Sequence, residues 1–136
     1  MKRLIGIVFV SAIIALPGCT VPDYVELYNN AGTGVAIHAC DRVDRLGDGL
    51  TLTLSSWCQA PIVVTSERGR WVYSGLADRE VIRQRGAQTR RGNHSLKVQL
   101  ERDGAIIVVA PDATFPAVEI PKQPEGFPLH PDEVTR

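Results

Sequence analysis

Residues 96–109 read LKVQLERDGAIIVV and decide the fold class of this chain. Leu96, Val98 and Leu100 alternate with polar residues, which is the pattern of a strand that is buried on one face. Asp103-Gly104 then separates this strand from the apolar run 105–110, and Asp-Gly between two such runs is a strong hairpin signal. The apolar run is continuous, so it predicts a strand buried on both faces.

The same short-strand pattern recurs upstream. Alternation predicts strands at 24–28, 35–39 and 50–55, and β-rich runs at 62–65 and 70–73 flank Glu67-Arg68-Gly69 as a second hairpin. In 50–55 the leucines at positions 50, 52 and 54 are expected to face the core. Trp71 and Tyr73 share one face of their strand and are interpreted as core residues rather than as a binding stripe.

Two segments lack a clear period. Residues 42–49 are charged and contain glycine, which indicates a loop. Residues 77–92 are rich in arginine and are interpreted as a strand over 80–85 or as loop, with one turn of helix after Asp78 as the alternative. Together the patterns predict an all-β domain over residues 24–110, a small antiparallel β-sandwich or barrel of six or seven strands.

The last 26 residues differ in composition from the rest. Six of the nine prolines fall there: Pro111, Pro116, Pro121, Pro124, Pro128 and Pro131. Proline removes amide donors, so residues 111–136 are predicted to be an extended, proline-rich tail outside the sheets. The tail has a net charge of −3 and is therefore able to lie along an arginine-rich surface.

The N-terminus carries the pattern of an export signal. Lys2 and Arg3 precede an apolar run of 13 residues, Leu4 to Leu16, which is too short to span a bilayer and suits a signal segment. Leu16-Pro17-Gly18-Cys19 then resembles the lipobox of bacterial lipoproteins. That resemblance implies cleavage after residue 18 and a diacylglyceryl group on Cys19, with residues 19–23 as a lipidated tether and the membrane as partner. Thr20, in the position after the cysteine, implies the periplasmic face of the outer membrane.

The cysteine count agrees with this interpretation. If Cys19 is lipidated, Cys40 and Cys58 remain, and in an oxidising compartment they are expected to form a disulfide. The alternatives are two buried thiols, or a copper or zinc site with His38, which shares a strand face with Cys40. We predict no metal and no cofactor.

Composition and spacing argue against several function classes. Removal of residues 1–18 leaves 13 basic and 15 acidic residues, a net charge of −2, so no nucleic-acid partner is expected. No serine lies in a glycine-flanked elbow, and His94 and His130 have no partner at meaningful spacing, so we predict that the protein is not an enzyme.

Arginine is distributed unevenly along the chain. Residues 68–91 contain seven arginines against Asp78 and Glu80, a net charge of +5. Guanidinium groups bind phosphate and carboxylate, so this segment is a candidate surface for an anionic component or protein of the cell envelope. The alternative is an ordinary hydrated face. The candidate surface consists of Arg79, Arg83, Arg85, Arg90 and Arg91.

Four segments together resemble small uncharacterised lipoproteins of Gram-negative bacteria. They are the lipobox, Val25-Glu26-Leu27-Tyr28-Asn29-Asn30, Trp71-x-Tyr73 and Gln123-Pro124-Glu125-Gly126-Phe127-Pro128-Leu129. The resemblance implies a membrane-anchored periplasmic protein, a non-catalytic binding or structural module of the envelope. The alternatives are an inhibitor of an envelope-directed hydrolase such as lysozyme, for which Tyr73-Ser74-Gly75 has similar residue types, and a metal-handling protein.

Overall fold

The computed structural model describes residues 21–136, so the signal segment and the lipidation of Cys19 lie outside the described residues. The elements in chain order are β1 (Tyr24–Asn29), β2 (Val35–Ala39), β3 (Arg42–Leu46), β4 (Thr51–Ser55), β5 (Ile62–Ser66), β6 (Gly69–Tyr73), α1 (Arg79–Arg85), β7 (Ala87–Gln88), β8 (His94–Leu100), β9 (Ile106–Val108) and β10 (Glu133–Thr135).

The strands form two sheets. The first has the order β4-β1-β8-β7, with β9 also paired to β8, and the second has the order β10-β6-β5-β2-β3. Neither sheet of the described chain closes on itself, and both contribute to one hydrophobic core. The all-β, sandwich-like class is confirmed, but with ten strands rather than six or seven, because three of them are short or exposed edge strands.

Both predicted hairpins are confirmed. Leu100 pairs with Ile106 across the β8–β9 turn, and Ser66 pairs with Gly69 across the β5–β6 turn. Gly104 has a φ of +87°, and a Cβ there would lie 3.0 Å from the Trp71 ring. Glycine is therefore required at this turn both for its conformation and for the packing of the tryptophan.

Trp71 and Tyr73 are core residues, as predicted. Their exposed fractions are 5% and 0%, and the Tyr73 hydroxyl donates a 2.6 Å hydrogen bond to the Gly104 carbonyl. Burial, with a further contribution from Asp103, raises the pKa of Tyr73. This bond ties the second sheet to the hairpin turn of the first.

The strand pairing and the strand 50–55 differ from prediction in two respects. β1 lies between β4 and β8 and runs parallel to β8, so the expectation of a purely antiparallel fold was wrong for this pair. In the leucine strand only Leu54 is buried, Leu52 is half-buried, and Leu50 precedes the strand with 58% of its surface exposed. The Leu50 carbonyl still accepts a 2.9 Å hydrogen bond from the N–H of Asn29 at the end of β1, but its side chain stays largely exposed.

The interpretation of 80–85 as strand or loop was wrong, because these residues belong to helix α1. Asp78 is its N-cap and accepts hydrogen bonds from the backbone N–H groups of Glu80 and Val81. Ile82 is fully buried against the core. Seven residues form this helix, and no helix of the described residues is long and apolar enough to cross a membrane.

Residues 42–49 were predicted to be loop, and that was wrong for the first five. β3 pairs with β2 over its whole length, from Ala39↔Arg42 to Val35↔Leu46. It is an edge strand on which only Leu46 is buried, so its pairing depends on backbone hydrogen bonds rather than on apolar alternation.

The expectation that residues 111–136 stay outside the sheets was also wrong. β10 pairs with β6, and Leu129 exchanges two 2.8 Å backbone hydrogen bonds with Ile106. Phe127 and Leu129 pack against the core. Proline interrupts pairing along the tail, but Leu129, between two prolines, and β10, after the last proline, suffice to attach it.

The tail also covers the outer face of the first sheet. Phe115 stacks on Tyr28 with a centroid distance of 4.5 Å. The Gln123 side chain accepts from the Val108 N–H at 2.8 Å and donates to the Val108 carbonyl at 2.9 Å. The whole of β9 is buried, as its continuous apolar run predicted.

The Cys40–Cys58 disulfide is confirmed. The two Cα atoms are 5.8 Å apart, and the bond connects the end of β2 to the segment after β4. It therefore links the two sheets across a separation of 18 residues.

Replacing both cysteines with alanine is expected to lower the free energy of unfolding by about 3 kcal/mol, because a loop of this length then regains its entropy in the unfolded chain. The measurement is urea unfolding with and without reductant. Reductant should destabilise the wild type by the same amount and leave the variant unchanged. Equal midpoints for the oxidised and reduced wild type would contradict the prediction.

Candidate functional site: the N-terminal face

A buried carboxylate lies where the chain enters the first sheet. Asp23 precedes β1 and only 4% of it is exposed. Its Oδ2 accepts a 2.8 Å hydrogen bond from Arg83 Nε and lies 3.4 Å from Arg79 Nε, so both arginines of α1 converge on it. Its Oδ1 accepts a 2.7 Å hydrogen bond from the His94 backbone N–H. The carboxylate therefore joins the helix, β8 and the start of β1.

Opposing influences act on this carboxyl group. Burial acts to raise the pKa of Asp23, but the backbone N–H of His94, the guanidinium of Arg83 and the charge on His94 outweigh it, so its pKa lies below the usual value of 3.8. Asp23 is therefore ionised at neutral pH. The Nδ1 atom of His94 lies 3.6 Å from Oδ1 and has no hydrogen-bond partner among the described residues.

The backbone around Asp23 is held from two sides. The Asp23 carbonyl accepts a 2.9 Å hydrogen bond from the Ser56 N–H, beyond the end of β4. The Pro22 carbonyl accepts a 2.8 Å hydrogen bond from the Asn93 side chain, which precedes β8. The sequence assigned residues 19–23 to a tether, but Asp23 belongs to the folded domain.

An open cavity of about 500 Å³ lies beside this segment, and its lining includes Trp57, Gln59 and Arg79. Trp57 follows β4 and is 73% exposed, whereas the other tryptophan is buried. The loop before β8 lies at the same end of the domain. We name this surface, together with the adjoining loop before β8, the N-terminal face. It comprises Val21, Pro22, Trp57, Gln59, Arg79 and Arg83, and the exposed loop residues Arg90 and Arg91, whose loop contacts Pro22 through Asn93.

The structure divides the five arginines of the predicted anionic-partner surface into three groups. Arg79 and Arg83 pair with Asp23, and Arg85 lies 3.8 Å from Glu125 of the tail. Arg90 and Arg91 are exposed in the loop before β8, and neither has an ion pair within the described part of the chain. Four of the five thus lie on the N-terminal face, and contact with an anionic partner stays a prediction.

The residues of the alternative metal site and of the Tyr73-Ser74-Gly75 segment are engaged in contacts within the domain. The disulfide consumes both thiols that the alternative soft-metal site at His38 requires. No group of three or more potential metal ligands occurs among residues 21–136. In Tyr73-Ser74-Gly75 the tyrosine is buried, and the Ser74 N–H donates a 2.6 Å hydrogen bond to Asp132 of the tail.

Sequence reasoning did not single out Asp23 or Trp57. The available signal for Asp23 was an acidic residue next to the first strand, together with arginines four residues apart at 79 and 83. That signal required the helix to be recognised first.

Comparison of the chain with protein-family models, with curated proteins and with solved structures finds no match.

Proposed function

We propose that this chain is a lipid-anchored protein of the bacterial cell envelope, attached through Cys19 to the periplasmic face of the outer membrane. Its β-domain is a non-catalytic binding or structural module. The observation that carries the proposal is the distance in sequence between the anchor and the fold: Val21, two residues after Cys19, already lines the cavity, and Asp23 is locked into the domain.

Two further features support this proposal. The apolar run and the sequence Leu16-Pro17-Gly18-Cys19 have the order that lipoprotein processing requires. A disulfide between the remaining cysteines suits an oxidising compartment such as the periplasm.

The test is metabolic labelling of the full chain with palmitate in a Gram-negative host. Cys19→Ser is expected to abolish the label and to leave an unprocessed precursor, because the thiol is the acceptor of the diacylglyceryl group. The matched control is the double variant Cys40→Ala/Cys58→Ala, which should label normally. Normal labelling of Cys19→Ser would overturn the proposal.

Whether the anchor lies in the outer or the inner membrane is tested separately by fractionation. Wild type is expected in the outer membrane, and Thr20→Asp should move the protein to the inner membrane, since Asp after the lipidated cysteine retains lipoproteins there. Labelled wild type in the inner membrane would contradict the outer-membrane assignment and leave the anchor itself intact.

A further inference from the structure

We infer that the N-terminal face is a membrane-docking surface, which binds the anionic phospholipid headgroups of the bilayer that holds the Cys19 anchor. The inference rests on the proposed function, because the anchor is what brings this face to the membrane. It goes further by assigning the face an occupant and two side-chain roles, one for Trp57 and one for Arg90 and Arg91.

Chain length brings the face to the lipid surface. Only Thr20 lies between Cys19 and Val21 in the sequence, so the Cα atoms of these two residues are at most about 7 Å apart. The Debye length at physiological ionic strength is about 8 Å, so those charges of the N-terminal face that come within this distance of the headgroups are only partly screened. A flexible linker of many residues would remove this constraint, but only three residues lie between Cys19 and Asp23, and Asp23 is already hydrogen-bonded into the domain.

Trp57 has the properties of an interfacial anchor. Its side chain is apolar with one N–H donor, and tryptophan is enriched where bilayers meet water. Its 73% exposure is unusual in a domain whose other tryptophan is 5% exposed. Burial of Trp57 among headgroups would remove this apolar surface from water, which no contact within the described residues does.

The charges of the face favour anionic lipid. Arg90 and Arg91 project from the loop that also holds Pro22 through Asn93, and Arg79 and Arg83 keep about half of their side chains exposed. The opposing carboxylates are already engaged: Asp23 is buried between the arginines, Asp78 caps α1, and Glu80 accepts a hydrogen bond from Gln84. The face therefore has four arginines against Asp23, Asp78 and Glu80, a net charge of +1, and its two arginines without an ion pair among the described residues are Arg90 and Arg91.

The experiment uses the full chain, purified from membranes with its anchor and reconstituted into vesicles that contain brominated phosphatidylcholine, with or without phosphatidylglycerol. Bromine near the headgroups quenches tryptophan only on contact, so quenching reports Trp57. We expect up to about half of the emission to be quenched with phosphatidylglycerol, since Trp57 is one of two tryptophans, and several-fold less without it. Trp57→Phe should abolish the quenching.

The arginines are tested by a matched pair of variants. Arg90→Gln/Arg91→Gln should reduce quenching several-fold, to the level seen without phosphatidylglycerol. Arg45→Gln/Arg102→Gln removes the same charge near the opposite end of β1. Arg45 precedes Leu46, whose carbonyl accepts a hydrogen bond from Asn29 at the end of β1, and Arg102 lies beside Gly32, just beyond that end. This control should quench like wild type, and thermal unfolding should be unchanged in both variants.

Flotation with the vesicles separates the two proposals. A chain that does not float lacks the anchor, and the proposed function fails together with this inference. A chain that floats but shows equal quenching with both lipids, no quenching, or the same loss in both arginine variants overturns the docking surface alone. If the face binds a protein partner instead of lipid, the purified chain should float without any quenching of Trp57.

Discussion

Asp23→Ala is expected to lower the free energy of unfolding by about 4 kcal/mol, the largest effect of any single substitution considered for this chain. The substitution removes a buried carboxylate that pairs with Arg79 and Arg83 and accepts the His94 N–H. Removing one partner of a fully buried ion pair typically costs about 3 to 5 kcal/mol. Here the arginines are about half exposed, which favours the lower end of that range, and the partly buried His94 N–H also loses its acceptor, which adds about 1 kcal/mol. The measurement is the urea midpoint of the purified protein.

Asp112→Ala is the matched control, because Asp112 is exposed. It should change the stability by less than about 0.5 kcal/mol. Equal midpoints for the two alanine variants would show that Asp23 does not hold the helix to β1.

The lowered pKa of Asp23 predicts how the stability of the domain changes as the pH falls. Because the pKa of Asp23 is lower in the folded protein than the usual 3.8, the unfolded chain takes up the proton first as the pH falls. The stabilisation is therefore complete above about pH 4 to 5 and is lost as the pH falls through the folded pKa. Unfolding curves at pH 7 and pH 3 should differ less for Asp23→Asn than for wild type.

Phe127→Ala/Leu129→Ala in the tail is expected to cost about 4 kcal/mol in total. Full burial of such side chains is worth about 2 to 5 kcal/mol each, and both are half-buried against the core, so roughly half of the sum applies. The measurement is again the urea midpoint.

The tail supplies its own control. Val118→Ala/Ile120→Ala removes apolar groups from the same proline-rich segment, but these residues are 95% and 56% exposed. This pair should have almost no effect on stability. If truncating either pair has the same small effect, the tail lies outside the cooperative unit after all.

Local signals were sufficient for the central part of the fold. Asp103-Gly104 specified the β8–β9 hairpin, and the alternation in 96–100 specified which side chains face the core, because turn chemistry and side-chain period act over a few residues. The helix was only the alternative interpretation, one turn after Asp78, because its buried side is little more than Ile82 and gives no clear helical period.

Two strands that depend on pairing with other segments of the chain were not predicted from the sequence. β3 depends on backbone pairing with β2 and shows only Leu46 as a buried residue. β10 is exposed at all three positions and is held by β6, and proline content gave the opposite prediction for its surroundings. The candidate site was not predicted for the same reason, since Asp23 and Arg83 are 60 residues apart in sequence.

The central position of β1 has a mechanical consequence. β1 is flanked by β4 on one side and by β8 on the other over almost its whole length. Tension applied through the residues before Tyr24 acts along the strand axis and loads both ladders in shear, so their hydrogen bonds must rupture together instead of opening one at a time. A terminal edge strand would peel off under far smaller forces. The domain is therefore expected to resist a pulling force applied at its N-terminus, which is the direction in which the proposed Cys19 anchor would load it.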